Sequence, residues 1–142
     1  MSTSTFIKRI KAMQTFLPYK SFHKSAQALD YRRLGKQRVE SRQILKALET
    51  GGGWSNHPAT KMWKGCESAL ILYSNICIKE WISRGYNNTM AILEQPTVSW
   101  PQWLGTPDFH SSHRAALLHK DFDYYRKFEW SEKPALDYVW PV

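Results

Sequence analysis

The chain has 142 residues, 42% of them hydrophobic and 14% aromatic, which is enough for one domain with a buried core and argues against a disordered protein. It contains no run of 18 apolar residues, so we expect no membrane partner. Residues 1–50 hold eleven Lys or Arg against three Asp or Glu, whereas residues 51–142 hold nine of each, so the first third carries the whole net charge of +8. A basic protein without a specific partner is the alternative, but this segregation favours nucleic acid as the partner.

The N-terminal third is predicted to contain an arm, an extended segment and a long helix. We expect residues 1–13 to form a flexible basic arm and residues 14–142 to form a single helical DNA-binding domain. Residues 14–19 read QTFLPY, a short apolar run stopped by a proline, which predicts an extended segment. A helix is then predicted from Ser25, which could cap it, to about residue 49, where TGGGW ends it.

The rest of the chain predicts further helices joined by an ordered loop. NHPATKMW, residues 56–63, opens a helix whose apolar residues recur every three or four positions up to Trp81. A short helix is predicted at residues 89–93. Residues 94–107 contain three prolines and two tryptophans and are predicted to form a loop anchored by aromatic side chains. One or two helices follow from Asp108, so the predicted fold class is all-α, a small single-domain helical bundle.

The charged residues of the first predicted helix fall into two sets on a helical wheel drawn at about 100° per residue. One set lies opposite the apolar residues and is predicted to face solvent and bind DNA phosphates; it comprises Arg32, Arg38, Arg42 and Lys46, and we assign DNA binding to the three arginines. The other set lies within or beside the apolar arc and is predicted to be partly buried; it comprises Arg33, Lys36 and Glu40. The second set is therefore the candidate site.

Lys36 and Glu40 are the candidate catalytic residues. Burial near other cations lowers the pKa of a lysine, so that more of its amine is free at neutral pH. A free amine can attack an electrophilic sugar carbon and form a Schiff base, with Lys36 as the nucleophile. Glu40, one helical turn further on, could relay protons or stabilise a developing cation. The alternative is a structural ion pair between the two side chains at the edge of the core.

Two motifs contain further polar candidates. NHP contains His57, and FHSSHR contains His113 and Arg114, which we predict to bind DNA together with Arg33. Caps and bridges between helices are the alternative role for these histidines. His110 and His113 have a spacing that can chelate a metal ion, but the chain contains neither His-Glu-x-x-His nor a paired Cys-x-x-Cys. We therefore expect no metal and no other cofactor.

Six motifs cover nearly the whole chain from Met13 onward. They read MQTFLPY, LDYRRLGKQRVE, NHPATKMW, WISRGY, FHSSHRAALLHKD and YVWP. Together they resemble the pyrimidine-dimer DNA glycosylases of the endonuclease V type, and more closely the uncharacterised bacterial and phage relatives within that superfamily. The resemblance implies an all-α fold that flips a base out of duplex DNA.

The catalytic pair of that family does not carry over residue by residue. The resemblance implies an N-terminal amine as nucleophile, together with a glutamate in a Tyr-Arg-Glu-Leu run. Residues 31–34 read YRRL, which places Arg33 where that glutamate would be. Which residue would carry the N-terminal amine depends on whether the chain starts at Met1 or at Met13. Lys36 and Glu40 are therefore assigned from the helical wheel and not from the family.

These features predict a DNA repair N-glycosylase that acts on damaged bases, such as pyrimidine dimers, in double-stranded DNA. It could also cleave abasic sites through a Schiff base. We expect a monomer in the cytoplasm of a bacterial or phage-infected cell, associated with the nucleoid. Two alternatives stay open. One is a non-catalytic protein that binds damaged or bent DNA, and the other is a protein whose pocket holds a nucleotide or a modified base.

Overall fold

The fold is a set of helices arranged around one aromatic core. The structure is a computed structural model that describes residues 13–142, so residues 1–12 of the predicted arm lie outside the described residues. The helices are α1 (Phe22–Ala28), α2 (Tyr31–Thr50), α3 (Pro58–Lys61), α4 (Glu67–Ser83), α5 (Pro107–Lys120) and α6 (Phe122–Tyr125), followed by a 3-10 turn at Arg126–Phe128. No strand occurs between residues 13 and 142, and the all-α class is confirmed. No helix in this part of the chain has both the length and the apolar character needed to cross a bilayer.

The first predicted helix is two helices, α1 and α2. Leu29 and Asp30 both have extended backbone angles, which break the helical path between them. The Tyr125 hydroxyl accepts a hydrogen bond from the Asp30 N–H at 3.0 Å and donates to the Asp30 carboxylate. This contact comes from the other end of the chain, which is why local sequence did not reveal the break.

The second predicted helix is also divided, into α3 and α4. Gly65 has a φ of +82°, a conformation that only glycine adopts without strain, and α4 begins two residues later. The predicted apolar spacing is confirmed within α4, since Leu70, Tyr73 and Cys77 are all fully buried. α2 packs chiefly against α4, and this pair forms the centre of the molecule.

The short helix predicted at residues 89–93 does not form. Side chains of α2 and α4 hold this segment in an irregular conformation instead. The side-chain amide of Asn75 donates to the Leu93 carbonyl at 2.9 Å and accepts from the Leu93 N–H at 3.0 Å. Arg42 donates to the Ala91 carbonyl at 2.6 Å. These bonds satisfy the main chain that a helix would otherwise have paired internally.

The segment predicted to be extended, residues 14–19, forms neither helix nor strand and bends from residue 18, and residues 13–18 are buried; residues 13–18 are called the extended segment below. Two histidines of α5 form hydrogen bonds to the main-chain N–H and carbonyl of Leu17. The Leu17 N–H donates to Nδ1 of His113 at 2.9 Å, and the Leu17 carbonyl accepts from Nδ1 of His110 at 2.8 Å. The segment therefore lies between α2 and α5 and joins the two ends of the chain.

Tryptophans order the proline-rich loop at residues 94–107, as predicted. The indole N–H of Trp103 donates to the Met62 carbonyl at 2.8 Å, and its ring packs edge-on against Trp63 with centroids 5.1 Å apart. Trp63 is fully buried. The loop is thus attached to the core by a large aromatic contact and a hydrogen bond.

Replacing Gly35 with alanine is expected to destabilise the protein by about 1 kcal/mol, because overpacking exceeds the gain in helix propensity. A Cβ at Gly35 would lie 3.0 Å from Cζ3 of Trp81. The indole cannot easily move, since its N–H donates to the Asn87 carbonyl at 2.7 Å and its ring lies against that of Tyr86, with centroids 4.4 Å apart and planes tilted by 31°. Urea unfolding measures the change. Gly53→Ala, whose new Cβ meets no atom within 4 Å, is the control. A Gly35→Ala protein as stable as wild type would contradict a fixed indole.

Candidate active site

An open groove runs along α2 and contains three of the predicted site residues. It has a volume of about 470 Å³ and is lined by side chains of α2, among them Arg32, Lys36 and Glu40, together with Trp81 from α4. Arg32 and Lys36 are exposed, whereas Glu40 is half-buried. The groove thus combines accessible cations with one carboxyl group that is largely withdrawn from water.

The carboxyl group of Glu40 is positioned by two amides. Its Oε2 accepts from the main-chain N–H of Gln14 and from Nε2 of Gln37, each at 3.4 Å. Burial raises the pKa of Glu40 to about 7, although the Gln14 hydrogen bond and the charges of Lys36 and Lys120 act in the opposite direction. At neutral pH both protonation states are therefore populated, the condition that suits a general acid or base.

Lys36, Lys120 and Tyr138 interact electrostatically with Glu40, and Arg33 interacts with Lys120 and Tyr138. Arg33 is half-buried and forms an ion pair with Asp30 at 3.1 Å, and Lys36 is exposed. Lys120 is half-buried, and its pKa is lowered first by burial and then by the charges of Arg33 and Lys36. Burial and the nearby Glu40 carboxylate raise the pKa of the Tyr138 hydroxyl to about 12. We call this set the Glu40 cluster; it comprises Arg33, Lys36, Glu40, Lys120 and Tyr138.

Lys36 does not have the environment that the helical wheel predicted. The expectation that it is partly buried is wrong, because its side chain is exposed in the groove. The argument that burial would free its amine therefore no longer supports Lys36 as the nucleophile. The same wheel was right about Arg33 and Glu40, which are both half-buried.

Arg38 and Arg42 are half-buried and bonded to other parts of the protein, so the expectation that they face solvent freely is also wrong. The guanidinium of Arg38 lies 4.2 Å from the centre of a Trp81 ring and donates to Oδ1 of Asn88 at 2.8 Å. Arg42 donates to Oγ of Ser74 at 2.7 Å. Burial lowers the pKa of both guanidinium groups. They fasten α2 to α4 and to the loop that follows it, because α4 packs on the side of α2 that the wheel assigned to water.

The two histidines and Arg114 make structural contacts. His57 caps the start of α3, where its Nδ1 accepts from the Ala59 N–H at 3.0 Å, and burial lowers its pKa. Burial lowers the pKa of His113 to about 3, so its ring is neutral as it binds Leu17. Arg114 donates to Glu132 at 2.9 Å. The described residues bring together no three His, Cys, Asp or Glu side chains that could hold a metal ion.

The helical wheel missed four residues that shape the site. They are Gln14, Gln37, Lys120 and Tyr138. Each lies within a motif on which the resemblance rests, since MQTFLPY, LDYRRLGKQRVE, FHSSHRAALLHKD and YVWP each contribute one. Their position in these motifs was the feature of the sequence that could have identified them as site residues. Sequence alone could not show that the four motifs meet at one carboxyl group, because the contacts between them join distant parts of the chain.

Comparison with known proteins identifies one family. A family model described as pyrimidine dimer DNA glycosylase matches residues 13–94. This range is more than half of the chain and contains the extended segment, the whole of α2 and Trp81. No curated protein and no solved structure matches the chain.

Glu40→Gln is expected to stabilise the protein at high pH and much less at low pH. The folded-state pKa of about 7 lies above the ordinary value of 4.5, so the wild type loses stability as pH rises from 4.5 through 7. Glutamine stays neutral. We expect its advantage in unfolding free energy to be about 1–2 kcal/mol larger at pH 8 than at pH 5, allowing for partial exposure.

Urea unfolding at both pH values measures this difference. Glu49→Gln, an exposed position on the same helix, is the matched control and should show little pH dependence of its effect. If Glu40→Gln changed the unfolding free energy equally at pH 5 and pH 8, burial would not disfavour the ionised form of Glu40.

Proposed function

Because the chain belongs to the pyrimidine dimer DNA glycosylase family, we propose that it is a DNA repair N-glycosylase that removes damaged pyrimidines, including dimers, from double-stranded DNA. The observation that supports this activity most directly is the half-buried Glu40 carboxyl group, with a pKa of about 7, in an open groove flanked by cations. Glycosylic bond cleavage needs such a group, because the departing base must be protonated and the sugar develops positive charge.

Glu40 would serve both needs in turn. In its protonated form it can donate to the departing base. In its ionised form it can stabilise the cationic sugar, since the partly dry surroundings strengthen electrostatic attraction. The Gln14 and Gln37 amides orient the carboxyl group through Oε2, and no hydrogen bond from residues 13–142 engages the second oxygen.

Arg32 and Lys36 would bind the DNA backbone at the edge of the groove. Both are exposed, and the Arg32 guanidinium is oriented by a hydrogen bond from its Nε to the Tyr31 hydroxyl at 3.1 Å. Exposed cations pair with phosphates without the cost of removing a charge from the protein interior. Arg33 would add to the positive potential of the site, because its ion pair with Asp30 holds a charge that acts on Lys120 and Tyr138.

The other predicted DNA-binding residues would act through the fold. These residues are Arg38 and Arg42 of α2, His57 at the start of α3, and His113 and Arg114 of α5. Each makes at least one hydrogen bond within the protein. We propose that they support the walls of the groove and the extended segment.

We further propose an abasic-site lyase step through a Schiff base. An amine of the Glu40 cluster would bond to C1′ of the sugar, and the resulting iminium would permit elimination of the 3′ phosphate. Its signature is a covalent protein–DNA complex after borohydride reduction. Tight binding of damaged duplex with neither base release nor trapping would instead favour a protein that only recognises lesions.

Glu40→Gln is expected to lower the rate of glycosylic bond cleavage in duplex DNA carrying a single pyrimidine dimer by 10²-fold or more, because the proton donor is lost. Affinity for the same duplex should change by no more than a few fold. Single-turnover formation of alkali-labile strand breaks and filter binding measure the two quantities, with Glu49→Gln as the control. The wild-type rate should fall as pH rises above about 7, where Glu40 is ionised. A Glu40→Gln protein with the wild-type rate would refute this role.

Arg32→Ala and Lys36→Ala are each expected to weaken binding to damaged and undamaged duplex about equally. Each should reduce the slope of log affinity against log salt concentration by about one, because one phosphate contact is lost. Lys61→Ala, an exposed lysine on α3 that does not line the groove, should leave the slope unchanged. Unaltered slopes for both groove variants would place the DNA on another face of the protein.

A further inference from the structure

We propose that Tyr31, the first residue of α2, stacks against a base that neighbours the damaged nucleotide in the same DNA strand. The rings of Tyr86 and Trp81 hold the Tyr31 ring in place. The inference rests on the proposed function and adds to the same groove a binding site for a second nucleotide. It follows from a row of aromatic rings that neither the charge pattern nor the helical wheel revealed.

Three aromatic rings and two guanidinium groups form a continuous row beside the groove. The ring of Tyr86 contacts both other rings, with its centroid 6.2 Å from that of Tyr31 and 4.4 Å from that of Trp81. The guanidinium of Arg32 lies 5.7 Å from the centre of the Tyr31 ring, and that of Arg38 lies 4.2 Å from the centre of a Trp81 ring. Tyr31 and Trp81 themselves line the groove along α2.

Hydrogen bonds and close packing orient these rings within the protein. The indole N–H of Trp81 donates to the Asn87 carbonyl at 2.7 Å. Its ring rests directly on the main chain of α2, since a Cβ at Gly35 would lie 3.0 Å from Cζ3 of Trp81. At the other end of the row, the Tyr31 hydroxyl accepts from Nε of Arg32 at 3.1 Å. Rings that are already oriented lose little conformational entropy when a ligand stacks on them.

Tyr31 is the most accessible ring of the row. It is 50% exposed, whereas Tyr86 is 40% exposed and Trp81 is half-buried. Single exposed aromatic residues are common on protein surfaces, but these rings are contiguous and lie beside the exposed cations Arg32 and Lys36. Aromatic faces next to cations bind unstacked nucleotides, because each base has a π face and each nucleotide brings a phosphate. The ligand that fits this chemistry is a nucleotide of the bound strand.

The spacing along α2 assigns the stacked base to a neighbour of the damaged nucleotide. Tyr31 lies nine residues before Glu40, which is about 13 Å along the helix axis. This is roughly four times the 3.4 Å that separates stacked nucleotides along one strand. A nucleotide whose glycosylic bond lies at Glu40 therefore does not place its base on Tyr31. Arg32 and Lys36, between the two positions, direct the strand along α2 because their charges bind its phosphates.

The test is a cycle of protein and DNA variants, with the full chain and a duplex that carries a single pyrimidine dimer. Tyr31→Ala should weaken binding roughly 5- to 100-fold, because a stacking contact is lost. Tyr31→Phe, which keeps the ring but not the hydroxyl, should bind within about twofold of wild type. Phe122→Ala is the matched control, since Phe122 is 51% exposed and does not line the groove, and it should leave the affinity unchanged. Circular dichroism and urea unfolding verify that each variant is folded.

The DNA half of the cycle removes one base at a time. A stable abasic analogue replaces the nucleotide at each of the two positions on either side of the dimer, in the same strand. At one of these positions the ratio of wild-type to Tyr31→Ala affinity should fall to about one, because the ring and the missing base act through a single contact. Filter binding measures the affinities, and alkali-labile strand breaks measure cleavage of the intact substrate.

Three results would overturn the stacking role of Tyr31. Tyr31→Ala could bind as tightly as wild type, Tyr31→Phe could bind as weakly as Tyr31→Ala, or the affinity ratio could stay the same at all four positions. The second result would assign the effect to the hydrogen bond with Arg32. In each case cleavage by the wild type would leave the proposed glycosylase intact. A ratio that falls to one without cleavage by the wild type would instead support the stacking role and refute the glycosylase, and a wild type that does not bind the duplex would refute both.

Discussion

The side-chain amide of Gln37 is the contact on which the rest of the site depends. Its Oε1 accepts from the Phe16 N–H at 2.8 Å and from the Tyr73 hydroxyl, and its Nε2 donates to the Gln14 carbonyl at 2.7 Å and more weakly to Glu40. One fully buried amide thereby joins the extended segment to α2 and α4. Losing it would leave several buried polar groups unpaired, each at a cost of about 1–3 kcal/mol.

Glu40 has its unusual acidity because of this arrangement. The extended segment that Gln37 holds covers one side of the carboxyl group and excludes water from it, while the groove leaves the other side open to a ligand. Two neutral amides hold the oxygen in place, so the group is oriented without an ion pair that would commit it to the charged form. The acidity of the site is therefore a property of the packing between segment and helix rather than of α2 alone.

Local sequence predicted what local structure determines. It indicated the all-α class, the extended segment and the half-buried positions of Arg33 and Glu40, because helical periodicity and a terminating proline act over a few residues. Prediction from local sequence failed where the environment of a side chain depends on residues far away in the chain. α4 covers the side of α2 that holds Arg38 and Arg42, and the charge of Lys120, far along the chain, acts on Glu40.

The bond between Leu17 and His113 links residues 96 positions apart, and it has a consequence for how the protein is made. During synthesis the N-terminal segment emerges first, yet its partners on α5 appear only after most of the chain has been translated. Until then residues 13–18 present an apolar stretch without a binding site, and Glu40 is a solvated carboxylate on an isolated helix. A nascent or truncated chain that ends before α5 could therefore bind DNA through its many cations without being able to cleave it.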